Sequence, residues 1–491
     1  MASRRRTRRQ PWLPLVGLVG ILGLGMGLGV GSGCATYSDK TESMRELISA
    51  GQYEAGLAEV NRFIKVKDPV ELPTKWKSET ALAVLERATI LHAMGSWDAS
   101  ATNFQAADEQ LEFLDLRSSA DEIGRYVFSD AATHYRTTPT EKLSLNGVNL
   151  INYLAQGDLD GAAIEAKRFT VMRNYLLDYD PEHAHGAFGS YLAGFVAERQ
   201  GNPDSALRYY DEALQERELP TLIEPIGRLG QRGSYRSERL DRYLGGGGAG
   251  FPAPAKEAAP AEAASDDDEP AQDPAAPIPV ADANPAAPNP AEVLVIIKTG
   301  RVPYKVPVRI PIGAAIGLAG AFVTGNTALL EHSAMKVVVF PDLQPAGNLF
   351  DSAEWTIDGY PVQLDLVSDL GAEINREFDE LRPKIIGSAI TRMIVRAAAA
   401  EGARAAGNQG NEVVGLLSAL AIEGAMVALD KPDTRSWTTL PDRVWIGRTQ
   451  VPPGEHTLEI VVRGSGGEER RTAQVNVGPG GYVVLDVTTL R

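Results

Sequence analysis

Three stretches of this chain carry residue types able to do chemistry. Cys34 is the only cysteine among 491 residues and directly follows Gly31-Ser32-Gly33. Three small side chains give a peptidase close access to the backbone, and the thiol beyond them can accept a diacylglyceryl group. Asp180-Pro181-Glu182-His183-Ala184-His185 sets four metal-capable side chains within six residues. That density could suit a cation, but solvated loops between helices look the same, and neither metal nor cofactor is expected. Asp433-Thr434-Arg435-Ser436-Trp437 places an acid two residues before a guanidinium and close to an aromatic ring. The plain reading is a turn whose Arg435 pairs with Asp433 or stacks on Trp437 and fixes the entry to the final sheet. The sharper reading is a ligand or partner site. The patterns GxxxxGK[ST], HExxH and GxSxG do not occur, so no catalytic residue is assigned and an enzyme is the least favoured class.

The segment that must position Cys34 reads as a targeting sequence over residues 1–33. Met1 to Gln10 hold five arginines and no acid, and Pro11 to Val30 are free of charge, like the n-region and h-region of a secretory signal. As an uncleaved helix the apolar run is long enough to span a bilayer. Six glycines between Gly17 and Gly29, each costing about 1 kcal/mol relative to Ala, make it a poor permanent helix. Arg4-Arg5-Arg6 suggests twin-arginine export only weakly, because the residues that normally follow are missing. The junction resembles a bacterial lipoprotein lipobox, with Gly31 where that pattern has Leu. The resemblance implies that Cys34 becomes an acylated N-terminal residue. Ala35 in place of Asp implies, on the same resemblance, sorting to the outer membrane; the expected orientation is toward the periplasm.

Charge and cysteine usage narrow the partners. With 48 Lys+Arg against 64 Asp+Glu the formal charge is −16, and losing five arginines with the signal would leave −21. That is the wrong sign for gripping phosphate backbones, so nucleic acid is not expected as a partner. A single cysteine forbids intrachain disulfides and Cys-based zinc clusters, which leaves packing to hold the domains.

From Gly245 to about Pro290 the composition turns to Gly, Pro, Ala and acid, including Asp266-Asp267-Asp268-Glu269. Such sequence cannot bury enough surface to offset its ordering entropy, so residues 245–291 read as a disordered linker between a helical domain at 34–244 and an α+β domain at 292–491. In the first, a glycine, a bulky or turn residue, an acid and a small residue recur at Gly51 to Gly56, Gly95 to Ser100, Gly157 to Ala162 and Gly201 to Ala206. The glycine should end one helix in the left-handed conformation, and the small residue should let the next helix cross closely. This pattern resembles the tetratricopeptide repeat, with Gly194, Ala206, Tyr210 and Ala213, and Phe104 and Ala107, at packing places. In the second domain Val293 to Ile297 and Lys336 to Phe340 read as strands, and Leu370 to Arg404 as a helix interrupted near Pro383. His456 to Val462, Arg470 to Val477 and Tyr482 to Val487 read as closing antiparallel strands. Ile310 to Phe322 and Val413 to Leu429 are apolar but too short to span a membrane, which favours buried core helices.

Two segments resemble an uncharacterised family of proteobacterial envelope lipoproteins: Tyr135 to Leu143 with Asn152 to Asp158 and Ala162 to Arg168, and Asp433 to Pro441 with Pro452 to His456. The resemblance implies an outer-membrane lipoprotein with tetratricopeptide-like helices and supplies no reaction or substrate. The expected function is a non-enzymatic adaptor or scaffold that binds an envelope protein through its repeats and the membrane through its anchor. The alternative is a component of an export or pore-forming assembly that inserts or oligomerises through its C-terminal domain. Because a flexible linker of this length has ample reach, the two domains are expected to need no shared interface.

Overall fold

The computed structural model describes residues 35–68, 71–77, 79–113, 135–179, 182, 185–244, 291–323, 327, 337–407 and 432–491. Cys34, the expected signal segment at 1–33, residues 245–290 of the expected linker and Val413 to Leu429 lie outside the described residues. The body that starts at Thr36 is helical in its N-terminal half and sheet-rich in its C-terminal half.

Helices come in pairs: α1 (Tyr37–Lys40) and α2 (Glu42–Ser49) lead to α3 (Tyr53–Ile64), and α4 (Thr80–Ala93) pairs with α5 (Trp97–Asp108). Two very short parallel strands, β1 (Glu112–Phe113) and β2 (Arg136–Thr137), precede the next pair. There α6 (Pro139–Ala155) packs on α7 (Leu159–Tyr179), and α8 (Ala187–Arg199) then pairs with α9 (Pro203–Ala213). The short α10 (Ile223–Gly230) and α11 (Glu238–Leu244) close the array. The turns within the four pairs share one local cause. Gly51, Gly95, Gly157 and Gly201 take φ of 75°, 74°, 74° and 75°, where a side chain would be strained. The N–H groups of Gln52, Ser96, Asp158 and Asn202 then reach back to the carbonyls of Leu47, Leu91, Tyr153 and Ala197, each at 2.9 Å. Together with the glycine N–H bonds this is a Schellman cap, which satisfies carbonyls the helix end leaves open. Ala206, Tyr210, Ala213, Phe104 and Ala107 are all fully buried, and the bare backbone of Gly194 lets the Tyr210 ring lie against it.

The C-terminal half builds two four-stranded sheets. One is mixed, in the order β12 (Tyr482–Thr489), β3 (Glu292–Thr299), β9 (Arg443–Gln450), β8 (Leu364–Asp369), with β12 and β3 parallel. The last strand, Tyr482 to Val487, therefore does not close an antiparallel set as expected but joins a different sheet from the two strands before it. The other is antiparallel: β11 (Gly467–Val477), β10 (Gly454–Gly464), β6 (Ser352–Ile357) and the short β7 (Tyr360–Pro361). Alternation along a strand sends Val293, Val295 and Ile297 toward the second sheet, with Trp355 and Ile460. Leu294, Ile296 and Val484 point the other way, into one core with the helices. The mixed sheet is therefore buried on both faces, which is why β3 and β12 read as unbroken apolar runs.

That arrangement overturns the expectation of two halves without a shared interface. Trp437, Leu440, Val444 and Ile446 sit in the same apolar cluster as Leu85, Phe104 and Leu150, and Thr36–Arg491 forms one compact unit.

A third piece, an arm, has an apolar cluster of its own. Strands β4 (Tyr304–Pro311) and β5 (Val337–Gln344) pair antiparallel, with α12 (Ile312–Ala319) and a 3-10 turn (Gly320–Phe322) after β4. They pack on the long α13 (Leu370–Gly407) around Phe340, Phe378, Ile386 and Ile390. Two sequence expectations fail here. Helix α13 runs through Pro383 without a break: apolar side chains on both sides of the proline are buried, and this packing offsets the roughly 3 kcal/mol a helix-interior proline costs. The apolar run Ile310 to Phe322 is not a buried core helix, since only Ala315 and Ala319 of α12 are buried. The strand expected from Lys336 is seen from Val337 and continues to Gln344.

Candidate functional site

The two segments singled out by resemblance, far apart in sequence, meet in the fold. Helix α6 starts with a capping box: Thr138 Oγ1 accepts from the N–H of Glu141, and Glu141 returns its carboxylate to the N–H of Thr138 at 3.0 Å. The same carboxylate accepts from Tyr135 Oη at 2.7 Å and from the backbone N–H of Trp437 at 3.0 Å. A cap that ordinarily serves one helix thus also fixes the segment 433–441.

Around that point the segment is gripped atom by atom. Glu86 on α4 accepts from the N–H and Oγ1 of Thr438 at 2.8 and 2.9 Å and from those of Thr439 at 2.8 and 2.5 Å. Burial pushes the Glu86 carboxyl up, and the four threonine bonds pull against that. Trp437 is fully buried, donates Nε1 to Thr89 Oγ1 at 2.9 Å and meets the Phe104 ring edge-on at 6.0 Å. Thr434 Oγ1 accepts from Ser38 N–H at 3.0 Å. Helices α1, α4 and α6 are therefore bonded to a segment of the protein's own chain that forms neither helix nor strand.

Two further polar joints tie helices to the mixed sheet. Arg448 on β9 donates to both oxygens of Glu198 at 3.1 Å, to Tyr210 Oη at 2.8 Å and to Glu292 at 2.5 Å. Arg228 adds a bond to Glu198 at 2.6 Å, and Arg199 pairs with Glu292. Burial alone would raise the Glu198 carboxyl, but Arg448, Arg228 and Arg199 outweigh it and hold it at about 2. At the second joint Asp486 of β12 pairs with Lys298 of β3 and lies 3.2 Å from His92 Nε2, whose Nδ1 is 2.7 Å from Asn152 Oδ1. Burial would raise Asp486 too, yet Lys298 and then His92 keep it at about 2. Burial and then the Lys298 charge drive His92 down, against the pull of Asp486.

A cleft lies beside the first joint, lined by Glu141, Lys305, Glu377, Phe378 and Trp437 among others. It has room for little more than a water molecule. Glu377 accepts the N–H of Thr140 at 2.7 Å, and burial raises this carboxyl to about 7.

The residues singled out from sequence fall in different places. Arg435 pairs with Asp433 through two bonds at 2.8 and 2.6 Å, as the turn reading expected, and its guanidinium lies over Tyr135, 6.0 Å from the ring centre, rather than on Trp437. All five residues of Asp433 to Trp437 are buried, so the stretch acts as an internal joint leading into β9. Of Asp180 to His185 only Glu182 and His185 are described, and the structure brings no other acid or histidine to them in a group fit for a metal among the described residues. Glu86, Glu198, Arg448 and the His92-Asp486-Lys298 group were not singled out from sequence. The available signals were Thr138-x-x-Glu141 with Pro139 between, and the Glu86-Arg87 pair within a mostly apolar helix. No protein-family model, curated protein or solved structure matches the chain.

Proposed function

We propose that this protein is a non-enzymatic envelope lipoprotein, anchored through acyl groups on Cys34 at the outer membrane and facing the periplasm, that serves as a scaffold for another envelope protein. Its helical pairs are read as divergent tetratricopeptide-like repeats, supported by four glycine turns of one geometry. A scaffold rather than an enzyme is supported by where the charged groups are used: Glu86, Glu198, Arg448 and Asp486 are spent on internal bonds, and the cleft lined by Glu141 and Glu377 has room for little more than a water molecule.

The partner surface is assigned away from the helices that are bonded to residues 433–441. The observation that carries this is helix α7. Of eight large apolar side chains exposed among the described residues, four are Ile164, Val171, Tyr175 and Leu177 on that helix. Ile164, Val171 and Tyr175 are seven and four residues apart, which puts them on one stripe. The opposite face buries Ala162, Ala166 and Phe169. An exposed apolar stripe rimmed by charge, here Lys167 and Arg168, fits a protein interface.

The test is a photocrosslinking residue placed in cells at Val171 and, as control, at the exposed Thr102. A discrete adduct from 171, absent from 102 and lost on Ile164→Asp with unchanged melting, is expected. Adducts from neither position, or equally from both, would end the scaffold reading. In parallel, Cys34→Ser should leave the membrane fraction and lose the mass of the acyl groups.

A further inference from the structure

The second exposed apolar patch lies on the arm. Leu318, Phe322 and Val395 account for three of the remaining exposed large apolar side chains among the described residues. In α12 and its following turn Gly313, Ala314, Gly317, Gly320 and Ala321 are exposed as well. From Ile310 to Leu330 the sequence contains no charged residue. The patch is held firmly from below: Ala315 and Ala319 sit on α13, and Gly387, lacking a side chain, lets the backbone of Phe322 lie directly on that helix. No helix among the described residues is long and apolar enough to cross a membrane, so this surface can lie on a bilayer but not span one.

Charge and position select the occupant. The chain is strongly acidic overall, yet residues 382–407 carry five cations, Arg382, Lys384, Arg392, Arg396 and Arg404, against Glu401 alone, with Arg382 paired to Asp342 at 2.6 Å and Lys384 3.7 Å from Glu380. Basic sequence beside an exposed uncharged helix matches the boundary of an anionic bilayer, where lipid phosphates meet the cations and apolar side chains enter the acyl region. The folded body also begins at the base of the same arm. Helix α1 packs on β4, Ser38 and Lys305 bond to Thr434 and Ser436, and Arg45 lies over the Tyr304 ring at 4.3 Å. Strand β4 carries the chain from Tyr304 to α12 over eight residues, about 25 Å at roughly 3.3 Å each. An anchor two residues before Thr36 would keep a bilayer within reach of the patch.

We infer that α12 and its 3-10 turn are a second, non-covalent membrane contact, with Leu318 and Phe322 entering an anionic bilayer at the headgroup boundary. This rests on the anchor reading only for orientation. The single native cysteine makes the test direct: full-length protein carrying Phe322→Cys, or Thr102→Cys as control, is labelled with an environment-sensitive dye and reconstituted in phosphatidylethanolamine–phosphatidylglycerol vesicles. A blue shift at 322, quenched by bromine on the lipid acyl chains and absent at 102, is expected, and Leu318→Asp should reduce it while melting is unchanged. An aqueous spectrum at 322 in protein that floats with the vesicles overturns the inference. So does a blue shift that is present without lipid, which would mean that protein covers the patch. If the protein does not float, the anchor reading fails by itself. The same labels are then read after adding the protein to preformed vesicles, where a lipid-dependent blue shift at 322 supports the contact and an aqueous spectrum overturns it.

Discussion

The indole Nε1 of Trp437 donates to the hydroxyl of Thr89 at 2.9 Å, across 348 positions of sequence and between the two halves of the protein. Its neighbours in sequence, Thr438 and Thr439, saturate Glu86 one helical turn away on the same α4. Buried polar groups are costly unless bonded, so each half supplies what the other needs. Neither set of groups is satisfied when the halves are parted.

Trp437→Ala should therefore destabilise the whole protein by about 3–5 kcal/mol, the range for removing a buried aromatic side chain. Denaturant unfolding followed by helix and by sheet signals is expected to give coincident, shifted transitions. Loss of the sheet signal alone would show that the shared core is not cooperative. Protease nicking within residues 245–290 should correspondingly leave fragments that co-elute.

At the Arg448–Glu198 pair, removing one side leaves the other buried with one charged partner fewer, Glu292 remaining for Arg448 and Arg228 for Glu198. Glu198→Gln and Arg448→Met are each expected to cost on the order of 3–5 kcal/mol, and the double variant clearly less than their sum. A double-mutant cycle by chemical denaturation measures this. Additive losses would mean that Tyr210, Arg228 and Glu292 hold each partner independently.

Glu377 sets a pH dependence of definite sign. Its folded carboxyl titrates at about 7, above the ordinary 4.5, so its contribution is full below about pH 4.5 and is lost as pH rises through 7. The difference in stability between wild type and Glu377→Gln should move against wild type by on the order of 2–3 kcal/mol between pH 4.5 and 7.5. Glu198 and Asp486, held at about 2, act the other way: their contribution is present above about pH 4 and lost as pH falls toward 2. A flat difference for Glu377→Gln across pH 4.5 to 7.5 would contradict the burial of that carboxyl.

Two glycines separate backbone strain from packing. Gly201 has φ of 75° with nothing near where a Cβ would stand, so Gly201→Ala should cost about 1–2 kcal/mol from left-handed strain alone. Gly194 lies in ordinary helix against the Tyr210 ring, so Gly194→Ala should cost about 1–3 kcal/mol through overpacking. Adding Tyr210→Phe, which leaves the ring in place, should not rescue Gly194→Ala, and thermal melting of the set decides it.

Features closed within a few residues are legible without the fold. The four glycine turns are written in adjacent residues, because a Schellman cap closes within six positions. The period-two strands at His456 to Val462 and Arg470 to Val477 are equally plain, and the Asp433–Arg435 pair spans two positions. Tertiary structure decided the rest. Val293 to Ile297 reads as an apolar strand, but only packing shows helices on one face and a second sheet on the other. Pro383 argues for a break, and burial of Phe378, Leu381, Ile385 and Ile386 overrides it. Ile310 to Phe322 reads as core by composition, yet α13 has only one side to offer, and most of the run is left on the surface. Glu86 and Trp437 carry no mark of each other, since the worth of a carboxylate bond to Thr438 depends on both groups leaving water together, and that is a property of the folded body alone.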